Sequence, residues 1–397
     1  MWNQFHKFND FFGLYKKTYY LCGMINRILE NNIAHRLNKG KAIIVMGARQ
    51  VGKTTLLNKL FESQQNNIFW LNGDNSDTLA LFDNFNASRF KALIGNTKTL
   101  IIDEAQRISD IGIKLKQIID QIPDLQVVAT GSSSFDLANK INEPLTGRKW
   151  EYTLFPLSFN ELAQHTNILE EKRLLHHRLI YGSYPDVINN LGDEQKALTE
   201  ITNSYLYKDI MDYEGIHKAD KLVNLIQALA YQIGSEVSLT ELAQLIGLDV
   251  KTVDKYITIL EQAYIIFRLR SFNRNMRNEL KNSRKIYFYD NGIRNAVIRN
   301  FAPAEMRGDI GSLFENHFIS ERIKQKEYTD DYSLSWFWRT KSQQEIDYIE
   351  EKDGKIKAFE IKWNPKNKAV LSQTFCKAYQ NYRFVVVNPD NIEDFVM

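Results

Sequence analysis

The sequence has little cysteine, no long apolar run and almost no net charge. Its only cysteines, Cys22 and Cys376, are far apart and lack metal-site spacing, so we expect reduced thiols in a reducing compartment. No apolar run approaches the length of a membrane span. Asn9, Asp10 and Lys16 interrupt the first apolar residues, which argues against a signal peptide. We therefore expect a cytoplasmic protein without membrane contact.

The small net charge also limits the partners that the whole chain can attract. It amounts to +3, so overall electrostatics give no reason to expect nucleic acid, and a basic patch would have to be local. Hydrophobic residues make up 44% of the 397 residues, as in soluble globular proteins. This length predicts roughly two to four domains.

The most informative stretch is residues 47–54, which fits the P-loop pattern G-x-x-x-x-G-K-S/T at every fixed position. A β-branched apolar run, 41–46, precedes it, and 55–60 is typical of the first turns of a helix. Strand, glycine-containing loop and helix amino terminus together form an anion site of backbone N–H groups. We therefore predict that ATP, with Mg²⁺, binds to Gly47, Ala48, Arg49, Gln50, Val51, Gly52, Lys53, Thr54 and Thr55.

Two carboxylates complete this predicted site. Lys53 would reach the β- and γ-phosphates, and the Thr54 hydroxyl would ligate Mg²⁺. About fifty residues downstream, a predicted strand at 99–103 ends in Asp103 and Glu104. In such a pair the first carboxylate holds the metal and the second orients the attacking water.

Ser132 and Arg148 are further catalytic candidates. Ser132 follows a predicted strand at 126–130 and could sense the γ-phosphate, with an ordinary serine-rich loop as the alternative. Arg148 could stabilise charge in cis or from a neighbouring subunit of a homo-oligomer, although a lone arginine is more often a surface group. Arg49 is assigned no catalytic role, because variable P-loop positions usually point away from phosphate.

A helix-turn-helix pattern is predicted over residues 238–270. Ser238 and Glu241 form a capping-box-like start, and Gly247 ends the first helix. Asp249 or Thr252 would open the second helix. A predicted strand follows, which favours a winged form.

The stretch that adjoins this pattern is basic and has two interpretations. A solvated face is the default for a run of charge. Its position beside a helix-turn-helix favours a nucleic-acid patch, although such domains also dock proteins. The candidate patch residues are Arg268, Arg270, Arg274, Arg277, Lys281, Arg284 and Lys285.

A second possible active site lies near the carboxyl terminus. Glu360 and Lys362 project to one face of a predicted strand, because side chains alternate with a period of two. Asp347, on the neighbouring strand of a hairpin that turns at 353–354, could converge with them, and Glu315 could add a metal ligand. Carboxylates that hold Mg²⁺ beside a lysine could hydrolyse phosphodiesters. The alternative is two exposed strands with ordinary charges.

In this order the motifs resemble bacterial and archaeal AAA+-type ATPases whose carboxyl-terminal half is a domain of unknown function. The resemblance implies an ATPase core with a lid, a winged helix, a terminal fold similar to PD-(D/E)XK nucleases, and a functional Arg148. The Pro-Asp opening of the nuclease motif is absent here. The resemblance extends from about residue 24 to the end and rests on 47–55, 101–106, 130–134, 145–148, 154–159, 181–185 and 285–294.

The expected fold is an α/β P-loop NTPase of AAA+ type with a parallel sheet and a helical lid, followed by a winged helix and a restriction-endonuclease-like α/β domain. The expected function is a Mg²⁺-dependent ATPase coupled to a DNA-binding, nuclease-like module. The alternative is an ATP-dependent switch that binds a protein partner and has an inactive nuclease-like domain. The predicted divisions are an extension or mis-assigned start (1–23), the ATPase domain (24–160), lid or linker (161–231), winged helix (232–304) and nuclease-like domain (305–397).

Overall fold

A computed structural model describes residues 24–132, 141, 144–204, 218–272, 284–340 and 342–397, with the backbone alone at 64–66. The predicted amino-terminal extension therefore lies outside the described residues.

The first sheet is parallel, with strand order β2-β3-β4-β1-β5. Strands β1, β3 and β4 are buried throughout, as apolar runs covered on both faces should be. The strands predicted above, near 41–46, 99–103 and 126–130, are present as β1, β3 and β4, and the charged sequence of β5 gave no strand signal. The bounds are β1 Ala42–Met46, β2 Ile68–Asn72, β3 Thr99–Asp103, β4 Gln126–Gly131 and β5 Lys149–Thr153.

Helices cover both faces of this sheet because the side chains of β1 alternate between two cores. Ile43 and Val45 pack with Leu56 and Leu57 of α2 on one face. Ile44 belongs to the core on the other face, which α3, α4 and α5 cover. The bounds are α1 Ile28–Ala34, α2 Lys53–Leu60, α3 Ser76–Asp83, α4 Ala87–Ile94 and α5 Ile111–Gln121.

Helices fill the next part of the chain. The first of them begins with a capping box, in which Ser158 and Glu161 each bond to the other's backbone N–H. The bounds are α6 Phe159–His165, α7 Ile168–Arg173, α8 Leu175–Tyr181, α9 Pro185–Asn189, α10 Glu194–Ile201 and α11 Ala219–Tyr231.

The predicted helix-turn-helix region contains two helices, α12 Leu239–Ile246 and α13 Val250–Gln262. The Ser238 hydroxyl caps α12 by accepting a hydrogen bond from Glu241 N. Gly247 ends α12 at a φ of +71°, a left-handed conformation that favours glycine. The local turn chemistry thus follows the sequence.

The second sheet is mixed, with order β12-β11-β10-β9-β7-β8-β6. It runs across the predicted division at residue 304, because β7 pairs with β9. The strands are β6 Glu236–Val237, β7 Ile266–Ser271, β8 Arg284–Phe288, β9 Leu334–Arg339, β10 Glu345–Lys352, β11 Lys355–Ile361 and β12 Tyr382–Val387. The helices are α14 Asn291–Val297, α15 Ile310–Tyr328, α16 Gln373–Ala378 and α17 Glu393–Val396.

Short 3-10 segments occur at Glu62–Asn67, Ala105–Arg107 and Ala304–Met306. Within the described ranges, no helix combines the length and the apolar character needed to cross a bilayer.

Candidate ATP site and a second carboxylate cluster

The loop between β1 and α2 can be built only with glycine at its two ends. Gly47 has a φ of +151°, and a Cβ there would lie 2.1 Å from the Leu154 carbonyl oxygen. Gly52, the residue before α2, has a φ of +96°. Both conformations disfavour a side chain. The loop therefore folds tightly between β1 and the residue that follows β5.

Lys53 lies inside this loop with 5% of its surface exposed. Its ammonium group donates to the carbonyl oxygens of Gly47 at 3.0 Å and Ala48 at 2.9 Å. Burial lowers the pKa of Lys53 from 10.5 to about 8, against the opposing charges of Glu104 and Asp103. Among the described residues its hydrogen bonds go to neutral carbonyls, so this cation remains available to an anionic ligand.

Asp103, at the end of β3, is held by hydroxyl groups. Thr54 Oγ1 donates to its Oδ2 at 2.8 Å, and the Thr130 hydroxyl donates to its Oδ1. A threonine hydroxyl beside a strand-end carboxylate is the pair that ligates Mg²⁺ in P-loop NTPases. The residues present therefore fit this ion. Thr130 was not among the predicted site residues, although its place at a strand end was a usable signal.

Glu104 follows in a left-handed conformation with a φ of +50°. Its backbone N–H donates to Thr130 Oγ1 at 3.1 Å, and its carboxylate accepts from Gln106 Nε2 at 2.5 Å. The same nitrogen donates to Ser132 Oγ at 2.9 Å. The structure therefore brings the predicted Ser132 and Glu104 together through Gln106, which the sequence analysis did not select.

Arg148 is placed at the opposite edge of the sheet. Its carbonyl oxygen accepts from Ala42 N at 2.9 Å, at the start of β1, whereas the P-loop follows the other end of that strand. Five residues of strand separate the two by about 13 Å. Its guanidinium group pairs with Asp120 at 2.8 Å. A cis role at this P-loop is therefore wrong, and a role in trans stays a prediction.

Arg27, which the sequence analysis missed, is buried beneath the P-loop. Its guanidinium group donates to Val51 O at 2.8 Å, to Phe155 O at 2.5 Å and to Glu161 Oε1 at 3.0 Å. The same group lies 3.4 Å from the Tyr328 hydroxyl. No motif marks a single arginine before a helix, so the sequence offered no signal.

The four predicted nuclease-like residues converge in the second sheet. Strands β10 and β11 form the expected hairpin. Asp347 Oδ2 accepts from Ile361 N at 2.7 Å, and Lys362 Nζ donates to Glu360 Oε1 at 2.7 Å. Burial raises the pKa of Asp347. Burial also raises the pKa of Glu360, and the negative charge of Asp347 raises it further. Glu315 joins this group from α15, and its charge acts on Lys362.

Lys285, predicted as part of a nucleic-acid patch, instead lies in this cluster. Its ammonium group is 3.2 Å from Glu315 Oε1 and also pairs with Glu345. The Tyr287 hydroxyl donates to the same Glu315 oxygen at 2.6 Å. Alternation along β8 places Lys285 and Tyr287 on one face, a signal that the sequence analysis did not use.

The described remainder of the basic stretch does not form an open basic face either. Arg268 pairs with Asp254 at 2.7 Å and with Glu261. Arg284 pairs with Asp254 at 3.1 Å, and Arg270 is exposed. The chain's own carboxylates thus pair with three of the four described residues of the predicted patch. Its other members, Arg274, Arg277 and Lys281, lie outside the described residues.

Comparison with protein families divides the chain into three parts. Residues 39–163 match the family described as an AAA domain. This part of the chain, which holds the P-loop, is similar to AAA domains. Residues 172–304 and 310–395 match two families described as domains of unknown function, DUF8612 and DUF4143.

Relatives match most of the chain at low identity. An uncharacterized protein of Haemophilus influenzae is 23% identical over 87% of this chain and 88% of its own length. One from Methanocaldococcus jannaschii is 23% identical over 81% and 75%, respectively. One from Mycobacterium tuberculosis is 25% identical over 82% and 71%. Their names give no activity.

Solved structures show weak overall likeness. Domain III of the Thermotoga maritima replication initiation protein DnaA has a TM-score of 0.29 and 14% identity, covering 57% of this chain and 93% of that chain. Drosophila ORC bound to AT-rich DNA and Cdc6 has a TM-score of 0.26 and 13% identity, covering 69% and 93%. At these scores the likeness carries no weight for fold or function.

Proposed function

We propose that the protein binds and hydrolyses ATP with Mg²⁺ at the P-loop and uses nucleotide state to act on its carboxyl-terminal half. The proposal that the P-loop binds and hydrolyses ATP with Mg²⁺ is supported by the hydrogen bond from Thr54 Oγ1 to Asp103 Oδ2, at 2.8 Å. This hydrogen bond joins the P-loop helix to the end of β3, where a metal beside bound phosphates would be held.

The residues divide the work of hydrolysis. Bound Mg²⁺ would neutralise charge on the phosphates, and Lys53 would leave its carbonyl partners to bind them. Glu104 would orient the attacking water. Gln106, bonded to both Glu104 and Ser132, would position that carboxylate.

The test is steady-state ATP hydrolysis by purified Lys53→Ala. We expect turnover to fall by at least about 10²-fold, since one group that stabilises transition-state charge contributes roughly that much. Lys59→Ala is the matched control, because Lys59 lies on the same helix and pairs with Glu30 at 2.8 Å. Undiminished turnover in Lys53→Ala would contradict the assignment.

Helix α15 supports the proposed coupling because it contacts residues 153–159, and Leu154 of this segment packs against the start of the P-loop. Leu154 N donates to Met46 O at 2.7 Å, and the Leu154 carbonyl is the group that Gly47 approaches. Side chains of α15 bond to alternate backbone groups from 153 to 159: Glu327 to Thr153 N (3.2 Å), Tyr328 to Phe155 N (3.2 Å), Lys324 to Leu157 O (3.3 Å) and Glu321 to Phe159 N (2.6 Å).

The same helix carries Glu315 in the second cluster. Asn316, the next residue, bonds to both backbone groups of Phe288 in β8. At 1.5 Å per residue, α15 spans about 20 Å from Glu315 to Tyr328. A shift of the P-loop on nucleotide binding would therefore reach the second sheet through one continuous helix.

Hydrogen exchange tests this coupling. The background is Glu104→Gln, which should retain bound ATP. In this background we expect ATP to change the amide protection of α15. We expect Tyr328→Phe to reduce that change, because it removes the hydroxyl contact to Phe155 N. Tyr332→Phe is the control, because Tyr332 is 80% exposed. An α15 response to ATP that Tyr328→Phe leaves intact would contradict this route.

We consider two functions for the carboxyl-terminal half that ATP would control. The first is cleavage or binding of DNA. Incubation of wild type and Asp347→Ala with DNA and Mg²⁺ or Mn²⁺ tests it. Metal-dependent cleavage that is lost in the mutant would support a nuclease.

The second function is binding of a protein partner, as in a regulatory switch. The internal ion pairs of Arg268, Arg284 and Lys285 favour it, since they neutralise three of the four described basic side chains of the predicted patch. Absence of both cleavage and salt-sensitive DNA binding would support the switch, whereas either activity would favour the first function.

A further inference from the structure

Lys285 occupies the centre of the carboxylate cluster. Its side chain is 2% exposed, and its ammonium group contacts Glu315 and Glu345. The ring of Phe337 lies 5.6 Å from the same group, within cation–π range. Burial alone would lower the pKa of Lys285, but the charges of Glu315, Glu345 and Asp347 outweigh it and raise the pKa.

Each carboxylate of the cluster already has a donor from the chain. Asp347 accepts from a backbone N–H, and Glu360 accepts from Lys362. Glu315 accepts from Tyr287 and Lys285, while Glu345 pairs with Lys285 and with Arg339, at 3.7 Å. Four carboxylates thus face three internal cations.

The donor set does not fit the divalent ion that a nuclease-like fold implies. Over the described ranges, no three or more His, Cys, Asp or Glu side chains are arranged to hold a metal ion. A metal ligated by Glu315 would have to compete with the buried ammonium group of Lys285, which lies 3.2 Å from Glu315 Oε1. Loss of this contact from a buried ion pair is unfavourable.

We propose that Lys285 is the resident cation of this cluster, which therefore binds no divalent metal and acts as an ion-pair junction. The junction joins β8, which supplies the lysine, to α15 and β10, which supply the carboxylates. This inference does not depend on ATP hydrolysis, because it concerns side chains remote from the P-loop.

The first test is thermal unfolding of the nucleotide-free full chain with and without Mn²⁺. We expect Lys285→Met to unfold at a lower temperature than wild type, since Glu315 and Glu345 lose their counter-ion. We also expect Mn²⁺ to raise that temperature in Lys285→Met by taking the vacated place, and Glu315→Gln to recover stability in the Lys285→Met background. A folded Lys285→Met that Mn²⁺ leaves unchanged would overturn the proposal.

Arg284→Met is the matched control. It removes a cation from the adjacent residue of β8, where Arg284 pairs with Asp254 rather than with the cluster. We expect it to show no Mn²⁺ response. A response equal to that of Lys285→Met would overturn the proposal, because the effect would then not belong to this position.

The second test needs no lysine variant and decides the matter if Lys285→Met does not fold. Electron paramagnetic resonance measures binding of Mn²⁺ to nucleotide-free wild type and to Asp347→Asn. We expect the two titrations to coincide. Stoichiometric binding to wild type that Asp347→Asn abolishes would show a true metal centre and overturn the proposal.

Discussion

The P-loop site and the carboxylate cluster both combine lysines with acidic side chains, but they pair them differently. At the P-loop, Lys53 donates to neutral carbonyls, and Asp103 accepts hydrogen bonds from the hydroxyls of Thr54 and Thr130. In the cluster, Lys285 contacts the carboxylates directly. The first arrangement leaves both charges available for a ligand, whereas the second satisfies them internally.

This difference shows why converging residues do not by themselves define a metal site. A charge held by neutral groups keeps its net field and can attract an ion or phosphate. A buried charge paired with its opposite costs free energy to separate. We therefore expect ligand chemistry at the first site and a structural role at the second.

The largest expected effect concerns the backbone of the P-loop. We predict that Gly47→Ala loses ATP binding, because the new Cβ would overlap the Leu154 carbonyl oxygen at 2.1 Å. A fluorescent ATP analogue measures the affinity. Gly308→Ala is the control, since a Cβ there meets nothing within 4 Å. Equal affinity in both variants would show that the loop does not need this close approach.

The next effect separates the catalytic carboxylate from those of the cluster. We predict that Glu104→Gln slows ATP hydrolysis by about 10²–10³-fold while keeping ATP affinity, because it removes a group that acts on the attacking water. Glu360→Gln should leave hydrolysis unchanged. Steady-state turnover and equilibrium binding measure the two parts. Slowed hydrolysis in Glu360→Gln would break the division between the sites.

A smaller effect tests the charge of Lys53 by pH. Its pKa of about 8 means that the ATP-free lysine is protonated below pH 8 and neutral above it. Bound phosphates favour the protonated form, so ATP binding should take up a proton at high pH and weaken as pH rises above 8. At pH 9 the uptake should be about 0.9 proton per ATP, measured by calorimetry in buffers of different ionisation enthalpy.

The control for this linkage is pH 6.5, where Lys53 is already protonated and uptake from this group should be near zero. An uptake that is the same at pH 6.5 and pH 9 would contradict the lowered pKa.

Local patterns predicted the P-loop side of the fold well. Neighbouring residues alone define the apolar runs of β1, β3 and β4 and the motif through Lys53 and Thr54. These features can therefore be recognised directly in the sequence. The hairpin that brings Asp347 near Glu360 also follows from strand alternation. Edge strand β5 was missed because its charged sequence lacks an apolar run.

Long-range pairing accounts for the remaining errors. Lys285 belongs to a basic run in sequence, but its partners Glu315 and Glu345 come from other elements of the fold. Arg148 was proposed as a charge-stabilising arginine and supported by the resemblance, and only strand direction shows that it lies at the other edge. Arg27 joins residues 24 to 301 positions away, which no periodicity reveals.

The number of Mn²⁺ ions bound per chain in the presence of ATP tests the contrast between the two sites most directly. Electron paramagnetic resonance on Glu104→Gln, which should retain ATP, should count one ion. Asp103→Asn added to that background should remove it, and Asp347→Asn should not. A second ion that Asp347→Asn removes, or a single ion that survives Asp103→Asn, would contradict the account.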